Sequence, residues 1–175
     1  MFVPDKPPQP VVATQPTNVT FESIIAAPYV TPAIRQSLVA SNFILIPDID
    51  IRTDTGPTFP EATERLFRYL VDNAPPSLRP EIAIADDKYV EVSFHTDITP
   101  IATFITTSVA LPIALGVVSN WLYSHLGSRS RRSTIKAKVI VIKPGAALQI
   151  DYEGSSAAFA QTVESAAGLL QKPDD

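Results

Sequence analysis

The sequence predicts an α+β fold, and three observations carry that expectation. Helical periodicity and strand alternation occupy separate stretches of the chain, so both element types are present. The alternating stretches come as apparent hairpins, which favours antiparallel pairing. One stretch, residues 98–126, carries no charge apart from any on His125, and it is apolar enough to cover a sheet. Together they predict an N-terminal helix-strand-helix segment followed by a hairpin-helix-hairpin-helix unit. Its four-stranded, mainly antiparallel sheet would be covered by helices.

At 175 residues the chain suits a single domain with a real core. Residues 1–18 hold five of the 17 prolines and little large apolar mass. Proline offers no ladder donor, so they read as a flexible, dispensable arm, with the α+β domain at 19–175. Thr31-Pro32 marks a helix start, a hydroxyl before proline in the first turn, and the helix should run to Ala40 and bury Ile34 and Leu38. Phe43-Ile44-Leu45-Ile46 reads as a buried strand stopped by Pro47. A second helix should start near Thr58, because Glu61 gives capping-box spacing and Pro60 suits a first turn. Its face would be Leu66, Phe67, Leu70 and Val71, with Glu61–Arg65 and Glu64–Arg68 pairing outside.

Residues 81–85 and 89–95 predict the first hairpin, with Val90, Val92 and Phe94 on one face. Residues 98–126 then read as one long helix, starting at Thr99-Pro100, kinked at Pro112 and stopped by Gly127. Strands at 134–142 and 148–152 predict the second hairpin, joined across Lys143-Pro144-Gly145. Gly154-Ser155-Ser156 should cap a last helix buried through Phe159, Val163, Ala167 and Leu170.

The long apolar stretch also admits a membrane reading. It exceeds the roughly 20 residues a span needs, and Arg129, Arg131 and Arg132 would flank it. The buried reading is preferred, because a span would isolate the second hairpin with too little core of its own. No basic and apolar leader opens the chain, so the expected location is the cytoplasm, with membrane association as the alternative.

Few residues suggest chemistry. Without cysteine, disulfides, thiol catalysis and thiolate metal sites are excluded. Asp48, Asp50 and Asp54 form the one metal-like cluster, since alternate carboxylates leaving a strand can hold a hard cation; a metal-dependent hydrolase would use them. The bidentate glutamate of a calcium loop is missing, however, with Phe59 at its position, so a turn is the simpler reading. His95 and His125 are the only histidines, and no nucleophile motif accompanies either. Arg129, Arg131, Arg132, Lys136 and Lys138 concentrate positive charge that could meet an anionic ligand or lipid headgroup. Nucleic acid is less favoured, because the net charge is −4 and no aromatic row accompanies the cations. No cofactor motif is present. The expectation is a non-catalytic interaction or accessory module, acting with a protein partner or by self-association.

Overall fold

The computed structural model describes residues 9–49, 56–93, 97–127 and 133–168. Its strands are β1 (Val11–Pro16), β2 (Phe43–Ile46), β3 (Asp48–Ile49), β4 (Pro57–Pro60), β5 (Pro80–Ile82), β6 (Glu91–Val92), β7 (Ile98–Pro100), β8 (Thr103–Thr107), β9 (Thr134–Lys143) and β10 (Ala146–Ser155). Its α-helices are α1 (Phe21–Ile25), α2 (Pro32–Val39), α3 (Thr63–Asn73), α4 (Leu111–Leu126) and α5 (Ser156–Gly168). The α+β class holds, but the sheet is larger and more mixed than four antiparallel strands. It has seven strands in the order β1-β10-β9-β8-β2-β5, with β7 also pairing β9. A small second sheet joins β3, β4 and β6.

The second hairpin forms as expected. β9 and β10 pair antiparallel with Lys143 opposite Ala146, so Pro144 and Gly145 alone make the turn. Gly145 supplies its positive φ of 76°. The first hairpin does not form. Residues 86–88 make a 3-10 turn, and β6 pairs parallel with β4 instead of returning along β5.

The stretch 98–126 is not one helix. Its first third is strand, with β7 and β8 lying parallel to β9 in turn. The chain then crosses over through α4, whose 16 residues begin at Leu111. Pro112 therefore sits in the first turn, where its missing N–H costs nothing, and introduces no kink. At 1.5 Å per residue α4 spans about 24 Å, short of a hydrocarbon core of about 30 Å. Among the described residues no helix is long and apolar enough to cross a membrane.

Two cores flank the large sheet. On one face α3, α4 and α5 pack on Phe43, Leu45, Phe104, Val139, Val141 and Ile150. On the other, α1, α2 and the connection between them bring Ile24, Leu38 and Val30 against Ile44, Ile46, Ile105 and Ile140. Period-2 alternation assigns neighbouring strand residues to opposite cores, as with Phe104 and Ile105. α2, β2 and α5 keep their expected places, and Ser155 Oγ caps α5 by accepting the Ala158 N–H at 3.2 Å. Where a helix was expected from Thr58, the chain first forms β4; α3 starts only at Thr63, after Ala62 turns left-handed at φ 70°. Ala62 is not a residue whose chemistry announces that conformation.

The proline-rich segment differs most from its expectation, because residues 11–16 form an edge strand antiparallel to β10. Thr17 N–H donates to the Ala147 carbonyl at 3.1 Å. Directions alternate along an antiparallel strand, so Val11, Ala13 and Gln15 also turn their N–H groups toward β10. Pro10 and Pro16 fall on the outward-facing parity, where the lost donor costs no ladder bond. The strand is thus compatible with its prolines, and its outer edge is blunted by them.

Candidate functional site

Asp48, Lys136 and Lys138 come together on the half of the sheet that α1 and α2 leave open. Across the β9–β10 ladder Lys136 stands opposite Glu153 and Lys138 opposite Asp151, while β1 adds Val11 and Ala13 to the same rows. A shallow hollow of about 260 Å³ runs over these rows and reaches Asp48. Opposite charges facing each other across a ladder stabilise the pairing modestly and neutralise one another. Crowding by its neighbours pushes the Asp48 carboxyl above its ordinary range, and the charge of Lys138 draws it part of the way back. Among the described residues no group of three His, Asp or Glu side chains is arranged to hold a metal. Asp50, Asp54, His95, Arg129, Arg131 and Arg132 lie outside the described residues.

A second locus gathers groups that sequence reasoning did not connect. α3 has no capping side chain of its own, and Glu91 of β6 supplies one from a distance in sequence. Its carboxylate accepts the Glu64 N–H at 2.9 Å, the Ala62 N–H at 3.3 Å and the Tyr89 hydroxyl at 2.6 Å. Burial alone would raise Glu91, but these hydrogen bonds and the charge of Arg65 hold it below the ordinary carboxylate range. Tyr89 moves the opposite way, upward, through burial and its bond to Glu91. The Tyr89-x-Glu91 spacing is the only sequence signal of this pair. Their target, the start of α3, is legible only in three dimensions.

Beside Glu91 lies a cleft of about 490 Å³, lined by Glu61, Arg65, Thr99, Pro100 and His125. Glu64 and Arg68 form the expected pair at 2.7 Å, but Glu61 and Arg65 do not. The left-handed Ala62 breaks the helical phase between them, so Glu61 is not one turn below Arg65. His125 stacks on Trp121 with ring centroids 4.6 Å apart and planes 9° from parallel. Partial burial lowers its pKa from 6.5; Arg65 lowers it further, and Glu61 opposes both.

That shift fixes a pH dependence. A histidine harder to protonate when folded contributes stability that is present above 6.5 and lost as pH falls through 6.5 toward the folded value. Trp121 is the only tryptophan, so its fluorescence reports this titration without labelling. A fluorescence step is expected with its midpoint below pH 6.5, together with a thermal midpoint that declines over the same range. In His125→Asn the fluorescence step should vanish; its persistence would assign the titration to another group.

The third locus is the outer face of α4. Ile113, Gly116, Asn120 and Tyr123 recur along it at intervals of three and four residues, Val109 lies in the turn just before it, and all are exposed, Val109 at 87% and Tyr123 at 74%. No Asp, Glu, Lys or Arg occurs anywhere on this helix. The sequence showed this uncharged run but not which side of it faces outward. No family model, no curated protein and no solved structure matches this chain.

Proposed function

We propose that this protein is a non-catalytic, cytoplasmic interaction module that works as an oligomer, with a second copy of the chain docked on the outer face of α4. The observation that carries this reading is the uncharged, solvent-facing seam of α4 from Ile113 to Tyr123. A four-three repeat of this kind is the spacing by which one helix seats against another. A face without charge meets its own copy without like-charge repulsion. Gly116 fits the same purpose. A Cβ built there would meet nothing within 4 Å, so the fold does not require glycine, yet a partner backbone could approach closely. One helix face buries less than the roughly 1,000 Å² of a robust interface, so the dimer should be weak and concentration-dependent.

Sedimentation equilibrium over a wide concentration range tests this, with the Gly116→Ala and Tyr123→Glu variants beside the parent. Alanine at Gly116 should raise the thermal midpoint, because mid-helix glycine costs about 1 kcal/mol. It should also weaken association by filling the close-approach point. Tyr123→Glu should abolish association without loss of folding. A parent that stays monomeric at roughly 1 mM, where even an interaction of about 4 kcal/mol would show, sinks the proposal. So does a dimer indifferent to both variants.

A further inference from the structure

We propose that the cleft between the start of α3 and the end of α4 binds a small α-amino acid in its zwitterionic form. Its polar groups divide into two sets. Glu91 is committed, since it caps α3 and accepts from Tyr89, and Glu64 is held by Arg68. That leaves the Glu61 carboxylate, the Arg65 guanidinium, the Thr99 hydroxyl and the His125 imidazole. All four line the same 490 Å³ space, and no hydrogen bond or ion pair among the described residues engages their side chains. A free carboxylate and a free guanidinium bordering one cleft without meeting call for a ligand carrying both opposite charges. Its ammonium would go to Glu61; its carboxylate would go to Arg65, in the two-pronged geometry guanidinium favours, with Thr99 donating a further bond. The ligand's side chain would lie over Pro100 and the His125 ring, which Trp121 backs from behind.

The walls are fixed before any ligand arrives. Glu91 ties β6 to the first turn of α3 by its bonds to the Ala62 and Glu64 N–H groups, and the near-parallel stack holds His125. The partial burial that depresses His125 keeps the imidazole neutral at pH 7, so it adds no charge to the balance. With Glu64 offset by Arg68, Glu61 and Glu91 against Arg65 still leave the lining negative, so a basic amino acid should bind better than a neutral one, and an acidic one worst. Exposed charges interact weakly, which places the expected affinity near 1 mM (about −4 kcal/mol by conversion).

The test is a titration of the full chain with L-lysine, L-alanine and L-glutamate, followed by Trp121 fluorescence and by the NMR signal of its indole N–H. Acetate and methylammonium serve as half-ligands. Saturable changes are expected with lysine and then alanine, with neither half-ligand reproducing them. Arg65→Gln and Glu61→Gln should each weaken binding about tenfold or more while leaving the thermal midpoint in place, since both side chains are exposed and unbonded. No saturable change at about ten times the expected dissociation constant would overturn the assignment. Equal response to glutamate and lysine, or unchanged binding in both variants, would overturn it as well.

Discussion

Substituting aspartate for Leu115 is expected to leave no cooperatively folded protein, and Ile105→Asp should do the same from the other side of the sheet. Leu115 is buried among α3, α5 and the first face, while Ile105 belongs to the core under α1 and α2. An unpaired carboxylate in either place either stays charged in an apolar medium or takes up a proton at a cost of several kcal/mol. A domain of this kind holds only about 5–15 kcal/mol in reserve. Loss of packing adds to the penalty, since even Leu115→Ala should cost about 2–5 kcal/mol. Near-UV circular dichroism and urea melts provide the measurement: the alanine variant should show a lower midpoint with an unchanged slope, and the aspartate variants no native baseline. Because the two cores share β2, β8 and β9, loss of either should take the other with it. A variant that keeps one core's signal while losing the other would show that the sheet does not couple them.

What the sequence made legible was local. The β9–β10 hairpin is announced by alternation around Pro144-Gly145, α5 by its cap, and β2 by four apolar residues before Pro47. Residues 98–126 differ from the single helix their composition predicts for a specific reason. A strand such as Thr103–Thr107 is uncharged and buried on both faces, so periodicity does not separate it from a buried helix. The signal that separates them is Pro112, which marks a first turn and not a kink. The run Thr-Phe-Ile-Thr-Thr is also rich in β-branched residues, which favour strands. The parallel pairing of β8 with β9 depends on a crossover through α4, and no local residue encodes it.

The cleft was illegible for a related reason. Glu61 and Arg65 looked like a routine helix pair, and only the left-handed Ala62 sets them apart. Glu91 became a helix cap because the parallel pairing of Phe59 with Glu91 and of Pro60 with Val92 carries it to α3. The seam on α4 was half legible. Its lack of charge stood in the sequence, but its outward side follows from Ala114, Leu115, Val118 and Leu122 turning inward.

Deleting residues 1–16 is expected to destabilise the protein and make it associate, although the segment's side chains are exposed throughout β1. The effect should come from the backbone. Removing the strand leaves the N–H and C=O groups of Gln149, Asp151 and Glu153, which face β1 in the ladder, without a partner strand. Ten-residue β10 then becomes a long open edge, without the outward prolines that blunt β1. Net ladder bonds contribute about 0.5–1.5 kcal/mol each, offset in part by the entropy of ordering the strand. A loss of about 2–4 kcal/mol, or roughly 5–15 °C in thermal midpoint, is the expected result. Gly154→Ala should reproduce part of it in the full-length chain. A Cβ there would lie 2.8 Å from the Pro10 Cβ and 2.8 Å from the Tyr152 hydroxyl, so the strand or the tyrosine must yield. Tyr152 is pinned by its bond to the Ser155 carbonyl at 2.6 Å and by edge contact with Phe159, which leaves Pro10 to move. Differential scanning calorimetry with light scattering reads both consequences. If the truncated chain melts where the parent does and stays dispersed, β1 contributes nothing to the fold, and the proline parity protects no edge.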